Sequence, residues 1–285
     1  MFARSHLATD GPVDRVLQEL RLMDTSRLGK ITGGSCKTAH FQAVLSFSTI
    51  IFGTKYGQAD ITRDGFVSHG TTLQQLNRAL AEPNSHDSDE IIVSIITLAI
   101  QETLVPSSPN NFVNHMQGME KILALRDPTL PQSPSTVHLY KCLRHMLLSA
   151  ALIGGTPTIL AKPEWKALLR EHSTTEEQLQ EQRLFEILAD CTVLASERNK
   201  LLKRQRDDGE DTCAQIGSVR DGTERVCMEL RIWRTEWGAD PQNAFIKMPT
   251  TLESPQSATG DDKVAYPTEI VFTSIKSAQM FMLYN

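Results

Sequence analysis

Residues 89–128 constrain the fold of this chain more than any other stretch. The first part of this stretch forms a helix that is apolar on more than one face, through Ile91, Ile92, Ile95, Ile96, Ala99 and Ile100. Such a helix is stable only when other helices cover it. Further on, Phe112, Met116, Met119 and Leu123 recur at spacings of four, three and four, which is one face of a 3.6-residue helix. The stretch therefore predicts a buried helix and an amphipathic helix, joined by a Pro/Ser/Asn loop.

Helical spacing recurs along the rest of the chain, and no alternating strand pattern with a hairpin turn accompanies it. We predict an all-α multi-helix bundle of about eight to ten helices. Helices are expected over about 10–23, 38–53, 71–81, 135–153, 163–169 and 174–206, around 226–237, and from 267 to 285. Loops are expected over 30–37 and 207–218, and a mobile loop near 248–265, where Ser, Thr, Pro, Gly and Asp are abundant.

Composition narrows the functional class. The net charge is −5 and the pI about 5.9, whereas a nucleic-acid-binding surface normally brings a basic excess. We therefore expect no direct nucleic-acid contact. No apolar run reaches the length of a signal peptide or a membrane-spanning helix, which predicts an intracellular protein. The five cysteines are widely spaced and odd in number, which predicts reduced structural thiols.

Three side chains have spacing compatible with metal binding. His138, Cys142 and His145 lie at i, i+4 and i+7, so they can share one helix face. A zinc site needs a further ligand and second-shell partners, which the sequence does not supply. We therefore favour a half-buried helix face and expect neither metal nor cofactor. The common hydrolase, metalloprotease and nucleotide-binding motifs are also absent from the sequence. An enzyme that needs no cofactor remains an alternative, because its active site has no fixed residue spacing.

Two further groups of residues have alternative interpretations. A basic cluster could form a nuclear import signal, or it could stabilise the C-terminal end of a long helix; we favour the helix end because acidic residues follow at once. Its members are Arg198, Lys200, Lys203, Arg204 and Arg206. The pair Trp233 and Trp237 is expected in the core rather than in a ligand cage.

Several of these segments together resemble the regulatory domain of fungal-specific transcription factors of the zinc-cluster family. Residues 40–53, the Leu73/Leu76/Leu80 helix and the isoleucine helix ending in Gln101-Glu102 are similar to it. NFVNHMQGMEKILALRDP resembles the family pattern aromatic-x-x-His-x-x-Gly followed by Arg-x-Pro. Residues 151–169 and 266–285 are also family-like. The motif residues are Phe112, His115, Gly118, Arg126 and Pro128, and we expect them to be structural.

The resemblance implies an all-α regulatory domain over 38–285, preceded by a lead-in and short helix over 1–37. Family members usually carry a six-cysteine zinc cluster before this domain and continue through more helices after it; this sequence shows neither. The resemblance therefore implies a nuclear regulator that binds a protein partner, such as a full-length transcription factor, or a small-molecule ligand. The alternative is an enzyme of secondary metabolism, a cyclase or isomerase that needs no cofactor and uses a pocket between helices.

Overall fold

A computed structural model describes residues 35–207, 213–243, 245–249, 268–272 and 280. These residues form eight α-helices and one short pair of strands. The helices are α1 (Ser35–Lys55), α2 (Ala59–Leu80), α3 (Asp89–Leu104), α4 (Asn111–Leu123), α5 (Pro134–Gly154), α6 (Pro163–Glu171), α7 (Glu176–Asp207) and α8 (Cys213–Ala239). The predicted all-α class is confirmed. Among the described helices, none is both long and apolar enough to cross a membrane.

Helix α3 lies at the centre of the packing. All twelve residues from Ile91 to Glu102 are buried, which confirms the burial expected from its isoleucines. Helices α1 and α2 form an antiparallel pair that packs against α3, and α4 packs on it from the following segment. The α1–α2 approach depends on glycine: a Cβ added at Gly65 would lie 2.6 Å from Ile50 Cγ1. The helix expected over 71–81 is the second half of α2.

Helices α5 to α8 continue the packing from α4, each in contact with at least one helix of the bundle. Ser133 caps α5 by accepting a hydrogen bond from the Thr136 amide, Pro134 opens the helix, and Gly155 ends it with a φ of 61°. Helix α7 packs against α5 and α6 on one side and against α8 on the other. The Trp233 and Trp237 rings stack at 5.5 Å, and both are buried, as predicted.

Four expected loops or helices were wrong in part. Helix α1 begins at Ser35 within the predicted loop 30–37, and α8 begins at Cys213 within the predicted loop 207–218. Residues 268–272, expected as the start of a helix, form a strand β2 (Thr268–Phe272) that pairs antiparallel with β1 (Phe245–Pro249). The sequence TEIVF is rich in β-branched and aromatic residues, whose preference for strands prevails here. Met248 and Pro249 therefore belong to a strand rather than to the predicted mobile loop.

Two predictions lie outside the described residues. These are the helix over 10–23 and the part of the mobile loop from 250 to 265. The domain boundary between 37 and 38 stays a prediction.

Candidate functional site

The motif residues Phe112, His115 and Gly118 lie on α4, and Arg126 and Pro128 follow that helix directly. Phe112 packs partly buried against the core, and His115, Gly118 and Pro128 are half-buried. Arg126 is buried, with 8% of its surface exposed. The five residues do not converge on one site. Instead, the segment joins two separate polar clusters at the two ends of α3.

The first, which we call the histidine–glutamate cluster, forms where the C-terminal end of α3 meets α2 and α4. Its members are His69, Gln101, Glu102, Ser107, Asn111 and His115. The Glu102 carboxylate, only 3% exposed, accepts hydrogen bonds from the Ser107 amide at 2.8 Å and the Ser107 hydroxyl at 2.7 Å. Asn111 Nδ2 donates in turn to the Ser107 hydroxyl at 2.8 Å. The glutamate therefore fixes the loop that leads from α3 into α4.

His69 reaches the same carboxylate from α2. Its Nδ1 lies 3.2 Å from Gln101 Oε1, and its Nε2 lies 3.8 Å from Glu102 Oε1. Burial lowers the pKa of His69, although the nearby Glu102 charge opposes that shift. Burial likewise lowers the pKa of His115, with Glu102 raising it and His69 lowering it further. Both rings are therefore neutral at neutral pH.

For Glu102, burial and the neighbouring groups shift the pKa in opposite directions. Burial by itself would raise the pKa of Glu102, but hydrogen bonds from Ser107 and Asn111 and the proximity of His69 outweigh it and lower the pKa. The cluster thus holds a buried anion between two neutral imidazoles. Because both carboxylate oxygens already accept hydrogen bonds from Ser107, the arrangement positions backbone segments more directly than it offers a free general base.

The second, which we call the arginine cluster, lies at the N-terminal end of α3. Arg126 donates from Nε to the His86 carbonyl at 2.5 Å. It donates from Nη1 to Asp89 Oδ1 at 2.9 Å and to the Tyr140 hydroxyl at 2.8 Å. Thr136 completes the cluster by donating to Asp89 Oδ2 at 2.7 Å. One guanidinium therefore ties the turn before α3, α3 itself and α5 to the end of α4.

Burial also affects Tyr140, which lies 2% exposed between the guanidinium and the core. Burial raises the pKa of this phenol, and the Arg126 hydrogen bond and charge only partly counter the shift. The hydroxyl therefore stays protonated and serves as an acceptor for Arg126. The Tyr140 ring also packs edge-on against Trp165 of α6, at 5.1 Å between centroids.

The three residues with metal-compatible spacing do not share a buried site. Cys142 is buried, and its Sγ lies 3.6 Å from His138 Nε2, but His138 and His145 are exposed. Within residues 35–207 and the shorter described segments, no group of three or more His, Cys, Asp or Glu side chains is arranged to hold a metal ion. None of the five cysteines forms a disulfide.

Sequence reasoning missed most of the cluster residues. Glu102 had a visible signal, because it is an acidic residue at the end of a helix that is otherwise apolar. His69, Asp89 and Tyr140 had no such signal in the sequence. Each contacts a partner that lies 14 to 37 residues away in the chain, and only the packing of the helices brings the two together. His40 was also missed: it is 3% exposed, and neither ring nitrogen has a hydrogen-bond partner.

With this geometry in hand, comparison with known proteins identifies the family. Residues 18–236 match the fungal specific transcription factor domain. The chain belongs to this family. It is also 32% identical, over 113 residues, to an uncharacterized protein of Emericella nidulans. That match covers 40% of this chain and 24% of the relative, so the chain spans about a quarter of the relative's length. No solved structure matches the chain.

Family membership confirms the resemblance seen in the sequence and supports a role in transcription regulation. The matched region contains α1 to α7 and all but the last turn of α8. Both polar clusters therefore belong to the family domain itself. Their contacts fix helix ends and loops within that domain.

Proposed function

We propose that this chain is a regulator-like protein of a fungal pathway, acting in the nucleus through protein contacts. The observation that carries the proposal is the family match over residues 18–236. Charge supports contact with proteins rather than with nucleic acid, because the chain carries a net −5. The proposed partner is a full-length transcription factor, and the proposed pathway is one of secondary metabolism.

An enzyme that needs no cofactor is the second candidate, and one observation favours it. The histidine–glutamate cluster gathers two histidines and a carboxylate whose pKa values are all lowered, and such groups are frequent in active sites. Against it, the hydroxyl and amide of Ser107 already occupy both oxygens of Glu102. We therefore prefer the regulator.

Gene deletion with parallel transcript and metabolite profiling tests the proposal. We expect a coordinated fall in the transcripts of one gene set, restored when the full chain is expressed again. Loss of a single metabolic step with normal transcripts would overturn the regulator and support the enzyme.

A third strain, complemented with the H69Q/H115Q double variant, sharpens the distinction. The imidazoles are replaced by amides, so acid–base chemistry is lost while polar side chains remain at both positions. If the chain is a regulator, transcripts recover as long as immunoblotting shows normal protein abundance. If it is an enzyme, the metabolic step stays lost at that same abundance.

A further inference from the structure

The C-terminal end of α7, which we call the projecting end, is largely exposed. Asn199 lies against the turn after α5: a Cβ added at Gly155 would lie 2.4 Å from Asn199 Nδ2. From there on, Lys200, Leu202, Lys203 and Arg204 are exposed. The facing start of α8 is exposed as well, from Cys213 to Ile216. This end of the α7–α8 pair therefore has solvent around most of its surface.

The projecting end carries cations that have no ion-pair partner among the described residues. Arg198, Lys200, Lys203 and Arg204 are all exposed, and none forms an ion pair there. Several other cations of the bundle are paired: Arg126 with Asp89, Arg144 with Glu181, Lys166 with Asp190, Arg170 with Glu186 and Arg183 with Glu236. What distinguishes the projecting end from the scattered unpaired cations of the bundle is that four exposed cations lie within residues 198–204.

The helix dipole accounts for only part of this cluster. Its effect fades within the last turn of a helix, and α7 ends at Asp207. Arg204 and Arg206 lie in that turn, but Arg198 and Lys200 lie seven or more residues from the end. Some of the cations therefore need another explanation than stabilisation of the helix end.

We propose that residues 198–206, which we call the import segment, are a docking site for the acidic groove of a nuclear import carrier. This inference rests on the proposed nuclear function. The segment RNKLLKRQR carries five cations and no acid. Short Lys/Arg-rich runs are the form that import signals take. A carrier that binds such a run in extended form has to unwind the end of α7, and that costs little because no residue from 197 to 204 is buried.

Nucleic acid fits the segment less well. Four acidic residues, Asp207, Asp208, Glu210 and Asp211, follow the segment at once and would repel a long chain of phosphates. An acidic groove that accommodates only a few residues can bind the cations and leave the acidic run outside. The short length of the basic run therefore favours a protein groove.

The test uses the full chain fused to a tandem fluorescent reporter, large enough to prevent passive diffusion into the nucleus. The K203Q/R204Q variant removes two central cations of the import segment. The R225Q/R231Q variant is the matched control, because both residues are exposed arginines of α8 with no ion pair in the described structure. We expect the nuclear-to-cytoplasmic ratio to fall severalfold for K203Q/R204Q and to stay at the wild-type value for R225Q/R231Q. The charge-conserving variant K203R/R204K should retain import.

Equal nuclear accumulation of all variants would overturn the inference, as would a wild-type fusion that stays in the cytoplasm. An equal loss for K203Q/R204Q and the control would also overturn it, because total charge would then be the cause. Transcripts measured in the same strains separate the two proposals. If K203Q/R204Q leaves the nucleus while transcripts stay normal, the import segment stands and the proposed function fails. If it stays nuclear and deletion still lowers transcripts, the proposed function stands alone.

Discussion

Glu102 shows at the scale of one residue how this fold tolerates a buried charge. The carboxylate follows the largely apolar stretch 91–100 of α3, and it is stabilised by donors from the very loop that it holds in place. Hydrogen bonds to a buried charged group contribute more than those between neutral groups, about 1.5–3 kcal/mol each. The side chain therefore stabilises the loop next to it in sequence rather than forming an ion pair with a distant element.

We predict that Glu102→Gln lowers the free energy of unfolding by about 1–3 kcal/mol, because an amide has only one acceptor oxygen and can no longer accept both hydrogen bonds from Ser107. Urea denaturation at neutral pH measures the effect. Glu82→Gln, at an exposed position before α3, is the control and should be close to neutral. Equal stability of both variants would show that the Ser107 contacts do not hold the loop.

His40 predicts a dependence of stability on pH. Burial lowers its pKa to about 4, with Glu90 opposing, from an unfolded value near 6.5. Between these values the unfolded chain binds a proton that the folded chain does not, so stability falls as pH decreases below 6.5. The loss from this group approaches about 3 kcal/mol near pH 4. His69 and His115, whose pKa values are also lowered by burial, add to it in the same direction.

His40→Leu should therefore flatten the decline in stability between pH 6.5 and pH 4.5 without removing it entirely. At neutral pH we expect little loss of stability, because neither ring nitrogen makes a hydrogen bond that leucine would forfeit. Denaturation curves across this pH range provide the measurement. His138→Leu, at an exposed position, is the control, and an unchanged slope in His40→Leu would refute the assignment.

At the scale of elements, the segment after α4 acts as a joint, in the sense that it fastens neighbouring elements to one another. Arg126 holds the turn before α3, the first residue of α3 and the first half of α5 through one guanidinium. Only arginine has the planar fork of donors that reaches several acceptors at once. Lysine at this position would keep the charge and lose most of the contacts.

We predict that Arg126→Gln lowers the free energy of unfolding by about 3 kcal/mol, since it leaves Asp89 and the Tyr140 hydroxyl without their buried partner. Arg126→Lys should recover only part of the loss. Arg63→Gln is the matched control, because that arginine pairs with Asp60 on the exposed surface of α2. Comparable losses in Arg126→Gln and Arg63→Gln would argue against the joint.

Glycines in two helices should respond in opposite ways to alanine. Gly118 lies within α4, and an added Cβ meets nothing within 4 Å. Gly118→Ala is therefore expected to raise stability by about 0.5–1 kcal/mol. Gly65→Ala is expected to lower it, because the new Cβ would lie 2.9 Å from the Ile50 backbone nitrogen. Thermal unfolding of the two variants measures both changes in stability. A lower stability of Gly118→Ala would mean that another surface approaches this glycine.

Much of the element-scale architecture could be predicted, because helical periodicity and capping residues are local signals. The isoleucines of α3 and the boundaries of α5 and α7 follow from such signals. The contacts of Arg126 and His69 could not be predicted, since they join residues that only the packing brings together. The start of α2 at Ala59 was missed because residues 59–70 lack a regular apolar stripe, and close packing on α1 stabilises them instead.

At the scale of the whole molecule, burial is uneven. Helix α3 is covered along twelve consecutive residues, whereas α7 has no buried residue from 197 to 204. Local opening is easiest where few apolar contacts must be broken. The protein therefore combines a strongly protected centre with an exposed end.

We predict that hydrogen–deuterium exchange follows this gradient. Amides of residues 91–102 should exchange slowest in the molecule, and those of 200–207 should exchange among the fastest helical amides. Mass spectrometry of peptic peptides resolves both segments. Rapid exchange in α3 would contradict its central place, and slow exchange at the end of α7 would argue against its ability to unwind for a partner.

The burial of α3 also bears on how the protein is made. Its covering helices come from both sides in sequence, α1 and α2 before it and α4 after it. During synthesis the isoleucine helix therefore leaves the ribosome some 19 residues before residue 123 completes α4. In that interval its apolar surface is open to chaperones and to other nascent chains. A fragment that ends before α4 would keep that surface uncovered, so screens for binding partners need at least residues 35–123 intact.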